Sequence, residues 1–150
     1  MKNPKIIDFI VFILILLFAY SSLSKVIEYD VFQGALSKSS ILKPMASALS
    51  IAIPVSEIIT CLLLATPRFF KAGLHASLLL MSIFTAYVIY ILTFSKRLPC
   101  SCGGVIQKMT WHQHLYFNLA FLLISFTGVL LARQPDLDYR KAFISLKKRQ

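Results

Sequence analysis

The sequence predicts an all-α membrane protein, a four-transmembrane-helix bundle with both termini cytoplasmic. Three observations carry this. Of the 150 residues, 57% are hydrophobic and only 15% are charged, whereas soluble domains carry roughly 25% charged residues. The apolar residues come in long blocks rather than as one stripe of an amphipathic helix. Four of these blocks are long enough for a bilayer core, which takes about 20 apolar residues per helix.

The first block spans residues 6–23, "IIDFIVFILILLFAYSSL". Lys2 and Lys5 precede it as they would a signal peptide, but its apolar run is longer than a usual h-region and no A-x-A site follows. It is expected to stay uncleaved and to span. The second block spans residues 45–65, the third residues 72–94 and the fourth residues 115–132. The turn "TPRFFK" between the second and third is short and basic; the other two connections are long. A membrane domain over residues 1–133 and a basic cytoplasmic tail over residues 134–150 follow. Tyr139, Ala142, Phe143 and Leu146 are spaced in that tail as in a short amphipathic helix on an anionic leaflet.

The net charge of +10 does not imply nucleic acid, because the basic residues sit at the block boundaries. With four spans both termini share a side, which collects Lys2, Lys5, Arg68, Lys71, Arg133, Arg140, Lys141, Lys147, Lys148 and Arg149. The opposite side holds Lys25, Lys38, Lys43, Lys96, Arg97 and Lys108. Ten against six follows the positive-inside rule. The termini are therefore expected in the cytoplasm of a bacterium and the two long connections on the periplasmic face of its inner membrane, where disulfides persist.

The second long connection carries the chemistry, "RLPCSCGGVIQKMTWHQHLYFN". Cys100 and Cys102 flank one serine, so a disulfide between them closes a small, strained ring that is easily reduced. Gly103 and Gly104 free the backbone after it. Lys96, Arg97 and Lys108 supply the cationic surroundings that favour a thiolate. An exchangeable thiol pair is the leading reading, a purely structural disulfide the second. A Cys/His metal site of Cys100, Cys102, His112 and His114 is the third, although single-residue gaps match zinc spacing poorly. Trp111, His112, His114 and Tyr116 also suit the interface where a helix enters the membrane. His112 or His114 is a candidate proton carrier for the thiols. Asn118, four residues after His114, shares its helix face and is expected to point at other helices. Cys61, deep in the second block, is not expected to pair with the loop cysteines.

Two further positions stand out inside the apolar zone. Glu57 is an intramembrane acid, for which a functional role is the default hypothesis. Pro54, three residues earlier, is expected to free a carbonyl and bend the helix. His75 and Asp8 are candidate partners for Glu57. Lys25, at the outer end of the first helix, is a candidate for holding an acidic partner or a quinone headgroup, with simple snorkelling as the alternative. The stretch "VFQGALSKSSILKP" after it is expected to lie along the outer surface.

These residues resemble a known family. "SSLSKV", Phe32, and Pro54 with Glu57 are similar to DoxX-like membrane proteins. "PCSCGG" followed by Trp111 and "HLYFN" is similar to the MauE branch, named for methylamine utilisation, over residues 6–132. The resemblance implies a four-helix bundle. It implies a role beside a thioredoxin-like protein in maturing a disulfide-bearing periplasmic protein, and DoxX-like relatives include a subunit of a thiosulfate:quinone oxidoreductase. Cys100 and Cys102 match the family's cysteine pair and Glu57 its acid. The expected function is thus thiol–disulfide exchange with a periplasmic partner through the Cys-x-Cys loop, with a quinone as candidate cofactor and no nucleic acid. A non-enzymatic scaffold for maturation and a metal-handling protein are the alternatives.

The orientation is directly testable. After mild reduction, a membrane-impermeant thiol reagent should label Cys100 with the inner membrane intact; labelling that requires its lysis would reverse the topology.

Overall fold

The computed structural model describes residues 4–39, 41–94 and 110–133. These form five α-helices: α1 (Pro4–Ile27), α2 (Tyr29–Lys38), α3 (Ala46–Ala65), α4 (Phe70–Phe94) and α5 (Trp111–Ala132), with a single 3₁₀ turn, Lys43–Met45, before α3. Four are long and apolar enough to cross a membrane: Lys5–Ile27, Lys43–Ala65, Phe70–Phe94 and Trp111–Ala132. Their apolar side chains point outward as well as inward. Phe9, Phe12, Leu62, Leu79 and Leu123 are among many large hydrophobics left exposed on the outer faces, as befits a surface solvated by lipid tails.

The spans run alternately up and down and pack as a ring, α1 on α3, α3 on α4, α4 on α5, and α5 back on α1. One half of this ring is filled. Ile7, Ile10, Val11, Leu14 and Phe18 of α1 mesh with Leu64 of α3, Phe70, Leu74 and Met81 of α4, and Val129 and Ala132 of α5. Ile7, Val129 and Ala132 in one cluster place the start of α1 and the end of α5 at the same, closed end of the bundle.

Small residues make that packing possible, as expected where helices associate in lipid by close van der Waals contact. Gly73, on the first turn of α4, lies directly against the end of α3. A β-carbon there would stand 2.7 Å from the backbone nitrogen of Leu64. Gly128 on α5 leaves room of a different kind, since a β-carbon would meet the side chains of Leu74 and Ile10.

The boundaries differ from the sequence expectation at two helix ends. α1 runs to Ile27 rather than residue 23. α5 begins at Trp111 rather than near Leu115. Thr110 accepts from the Gln113 amide while the Gln113 side chain accepts from the Thr110 N–H, a capping box. The stretch expected to lie along the outer surface folds over its first part as α2. Its Phe32 and Leu36 are buried and pack with Ala46, Leu42, Leu49 and Ile53 over the start of α3, while Asp30, Ser37 and Lys38 face outward. α3 continues as helix through Pro54, which is buried.

Gly73→Ala should destabilise the protein by about 1–3 kcal/mol, the usual range for overpacking. Gly128→Ala should cost less, because side chains yield where backbone does not. Unfolding midpoints in detergent test the order; equal midpoints would mean that α3 and α4 are not in backbone contact.

Candidate functional site

The end of the bundle opposite the filled half is hollow. A cavity of about 420 Å³ opens there, walled by the last turns of α1, the first half of α3, the second half of α4 and the start of α5, with α2 across it. Its lining is mostly apolar and rich in rings: Phe18, Phe32, Phe84, Tyr87, Trp111 and Phe117. Tyr20, Ala52 and Ile83 line it and are themselves exposed.

One polar cluster interrupts this apolar wall. Glu57 is fully buried, and Lys25 reaches it from the end of α1, with Nζ 2.9 Å from Oε1 and 3.2 Å from Oε2. Ser21, one turn before Lys25 on the same face, donates from Oγ to Glu57 Oε1 at 2.9 Å. Ser21 in turn accepts from the Lys25 ammonium through Oγ, and more weakly through its carbonyl at 3.4 Å. The lysine is also flanked by two rings, its Nζ lying 5.7 Å from the centre of Phe32 and 5.8 Å from that of Phe84. Cation–π attraction of this kind strengthens as the charge is desolvated. Phe32 belongs to α2, so the short helix covers the ion pair as well as the cavity.

This arrangement corrects the sequence reading of the acid. Lys25 does not merely snorkel; its side chain is only 14% exposed and is the partner of Glu57. His75 is exposed, with Nδ1 on the Lys71 carbonyl at 2.7 Å, and Asp8 is exposed on the outer face of α1. Neither reaches Glu57. Cys61 lies one turn beyond Glu57 and points its thiol at the Ile15 carbonyl at 3.5 Å.

On α5 the predicted residues separate. His112 is exposed, whereas His114 lines the cavity and stacks on Trp111, with ring centres 6.2 Å apart. Asn118, one turn further in on that face, also lines the cavity and is 96% buried, and its Nδ2 has no hydrogen-bond partner among the described residues. Cys100, Cys102, Gly103 and Gly104 lie outside the described residues. So does the cysteine half of the candidate metal set; among the described residues no three His, Cys, Asp or Glu side chains converge. The chain around the cysteines connects the end of α4 to the start of α5, both at the hollow end.

Ser21, Phe84 and α2 complete the cluster and were not singled out from sequence. Ser21 was legible in retrospect, since a hydroxyl four residues before Lys25 must share its helix face. No spacing rule relates a residue of α1 to one of α3 across 31 intervening positions.

Breaking the pair leaves one buried charge without its partner, which typically costs about 3–5 kcal/mol, whereas replacing both with apolar groups is often neutral. Lys25→Met and Glu57→Leu should each lower the unfolding midpoint in detergent, and the double variant should recover most of the loss. Additive losses would mean that the two side chains are not coupled.

No curated protein matches the chain, and no solved structure does. A family model described as methylamine utilisation protein MauE matches residues 3–131, which takes in all four spans and the polar cluster. This multi-pass membrane protein therefore belongs to the MauE family.

Proposed function

We propose that the protein is a thiol–disulfide redox protein of the bacterial inner membrane, acting through Cys100 and Cys102 on a periplasmic partner. Its termini face the cytoplasm, in keeping with ten basic residues on that side against six on the other. The partner is a thioredoxin-like or disulfide-bearing protein.

The supporting observation is the polarity of the bundle. Its hollow end, with the buried Lys25–Glu57 pair and His114, is the end from which the cysteine-bearing connection leaves α4 and at which it rejoins α5. A bundle that served only as an anchor would gain nothing by burying an ion pair there, since such pairs add little stability over apolar packing.

In the oxidising direction, a thiolate of the partner attacks the Cys100–Cys102 disulfide to form a mixed disulfide, and the partner's second thiol resolves it, so that the partner leaves oxidised and both loop cysteines are left as thiols. Closing the Cys100–Cys102 disulfide from two thiols releases two electrons and two protons, which pass to a two-electron acceptor such as a quinone. The reverse flow reduces the partner. An imidazole can carry protons between such groups, and His114, unlike His112, lines the cavity.

Cysteine trapping tests this. Cys100→Ser and Cys102→Ser each leave one thiol of the pair, and one of them should hold a periplasmic protein as a mixed disulfide on non-reducing gels, whereas the double variant holds none. If neither single variant captures a partner, the relay fails and the scaffold reading takes its place.

A further inference from the structure

The short helix α2 is held differently from the spans it covers. It leaves α1 at a single residue, Glu28, whose backbone departs from the helix (φ −103°, ψ 42°), and it ends at Ser39 in extended backbone (ψ 126°). Residues at the ends of an element can absorb a change of direction without unwinding it. Ten residues make a marginal helix in the absence of packing, and the Glu28 side chain does not cap it. What holds α2 is its underside. Phe32, Ala35 and Leu36 are buried, Phe32 lies over the Lys25 ammonium, and the hydroxyls of Tyr29 and Ser50 are hydrogen-bonded at 3.0 Å.

Gly34 weakens this helix further. Gly73 and Gly128 stand where a β-carbon would crowd a neighbour, but a β-carbon at Gly34 would meet nothing within 4 Å. Its backbone is helical, so neither packing nor conformation calls for glycine there. Glycine in a helix interior favours the unfolded chain relative to alanine. A weak helix between two non-helical residues opens more readily than the long spans around it.

What lies beneath decides what opening does. Phe32 and Leu36 line the cavity, and Phe32 is one of the two rings beside Lys25. Lifting α2 takes that ring off the ammonium and lets water reach the Lys25–Glu57 pair. An ion pair in contact with water is held far more loosely than a dry one. We propose that α2 is a hinged lid, turning at Glu28 and Ser39, that controls access from the hollow end to the cavity and its ion pair. The structure shows it closed, with Phe32 as the plug and the Tyr29–Ser50 contact as the latch. The lid does not depend on the thiol–disulfide reading and is tested without it.

Hydrogen exchange of the full-length protein in lipid nanodiscs, read by mass spectrometry, follows the lid directly. The amides of α2 should exchange well ahead of those of α1 and α3. Gly34→Ala should slow them about fivefold, the ratio implied by the helix preference of alanine over glycine. Tyr29→Phe should speed them about fivefold through the lost hydrogen bond. The amides of α1 and α3 should not change in either variant. Access is read separately through Ser56, which lines the cavity. Ser56→Cys, in a chain whose three native cysteines are replaced by alanine, reports the entry of a small charged thiol reagent from water. Its labelling should slow about fivefold with Gly34→Ala and speed up about tenfold or more with Phe32→Ala, which removes the plug. Should Phe32→Ala fail to fold, Tyr29→Phe gives the same direction of change. Amides of α2 that exchange no faster than those of α3 would overturn the proposal, as would a Gly34→Ala variant that alters neither rate. So would labelling at residue 56 that stays constant while exchange in α2 changes, since the helix would then fray without uncovering anything.

Discussion

A carboxylate inside a membrane must have a partner, and the architecture follows from how this one is satisfied. Glu57 is wholly buried in the first half of α3, and its partner Lys25 comes from the last turn of α1. An isolated charge at this depth would cost several kcal/mol or more. The pair therefore fixes the end of α1 against α3 with a precision that interchangeable apolar contacts do not supply. Ser21 closes the network by donating to the acid and accepting from the base, so that the acid is held by two groups of α1.

The two halves of the bundle solve different problems. In the filled half, close approach does the work, with Gly73 against the Leu64 backbone and a cluster from Ile7 to Ala132 packed around it. In the hollow half, the helices stay apart and the space is bounded by rings, the ion pair and α2. The short helix connects these roles. It follows α1 after one residue, Glu28, buries Phe32 against the lysine, and places Leu36 on the start of α3. Its amphipathic sequence has a bundle face and an outward face, unlike the spans, whose outer sides meet lipid.

Much of the fold was legible in the chain because lipid imposes a simple rule, long apolar blocks of fixed minimum length. All four blocks became helices, and their ends moved by only a few residues. At α5 the shift came from a Thr-x-x-Gln cap that extends the helix back to Trp111, a signal present in the sequence. α2 was harder to see because a ten-residue amphipathic helix resembles any half-apolar connection until something is known to lie beneath it. Glu57, Lys25, His114 and Asn118 were all recognisable as costly residues in an apolar setting. Their grouping was not, since it depends on which helices are neighbours in the ring, and local periodicity is silent on that. His75 was misjudged for the same reason: depth along a span says nothing about the direction a side chain faces.

The filled half has a consequence for the bundle as a whole. Among the described residues no charged side chain is buried between Glu57 and the closed end, and the hydroxyls of Thr60 and Ser77 turn back onto carbonyls of their own helices. The chain thus carries its charged cluster toward one end only, and among the described residues the remaining thickness buries no further charge. The bundle is therefore electrically lopsided along its long axis, although its four spans are of similar length and hydropathy.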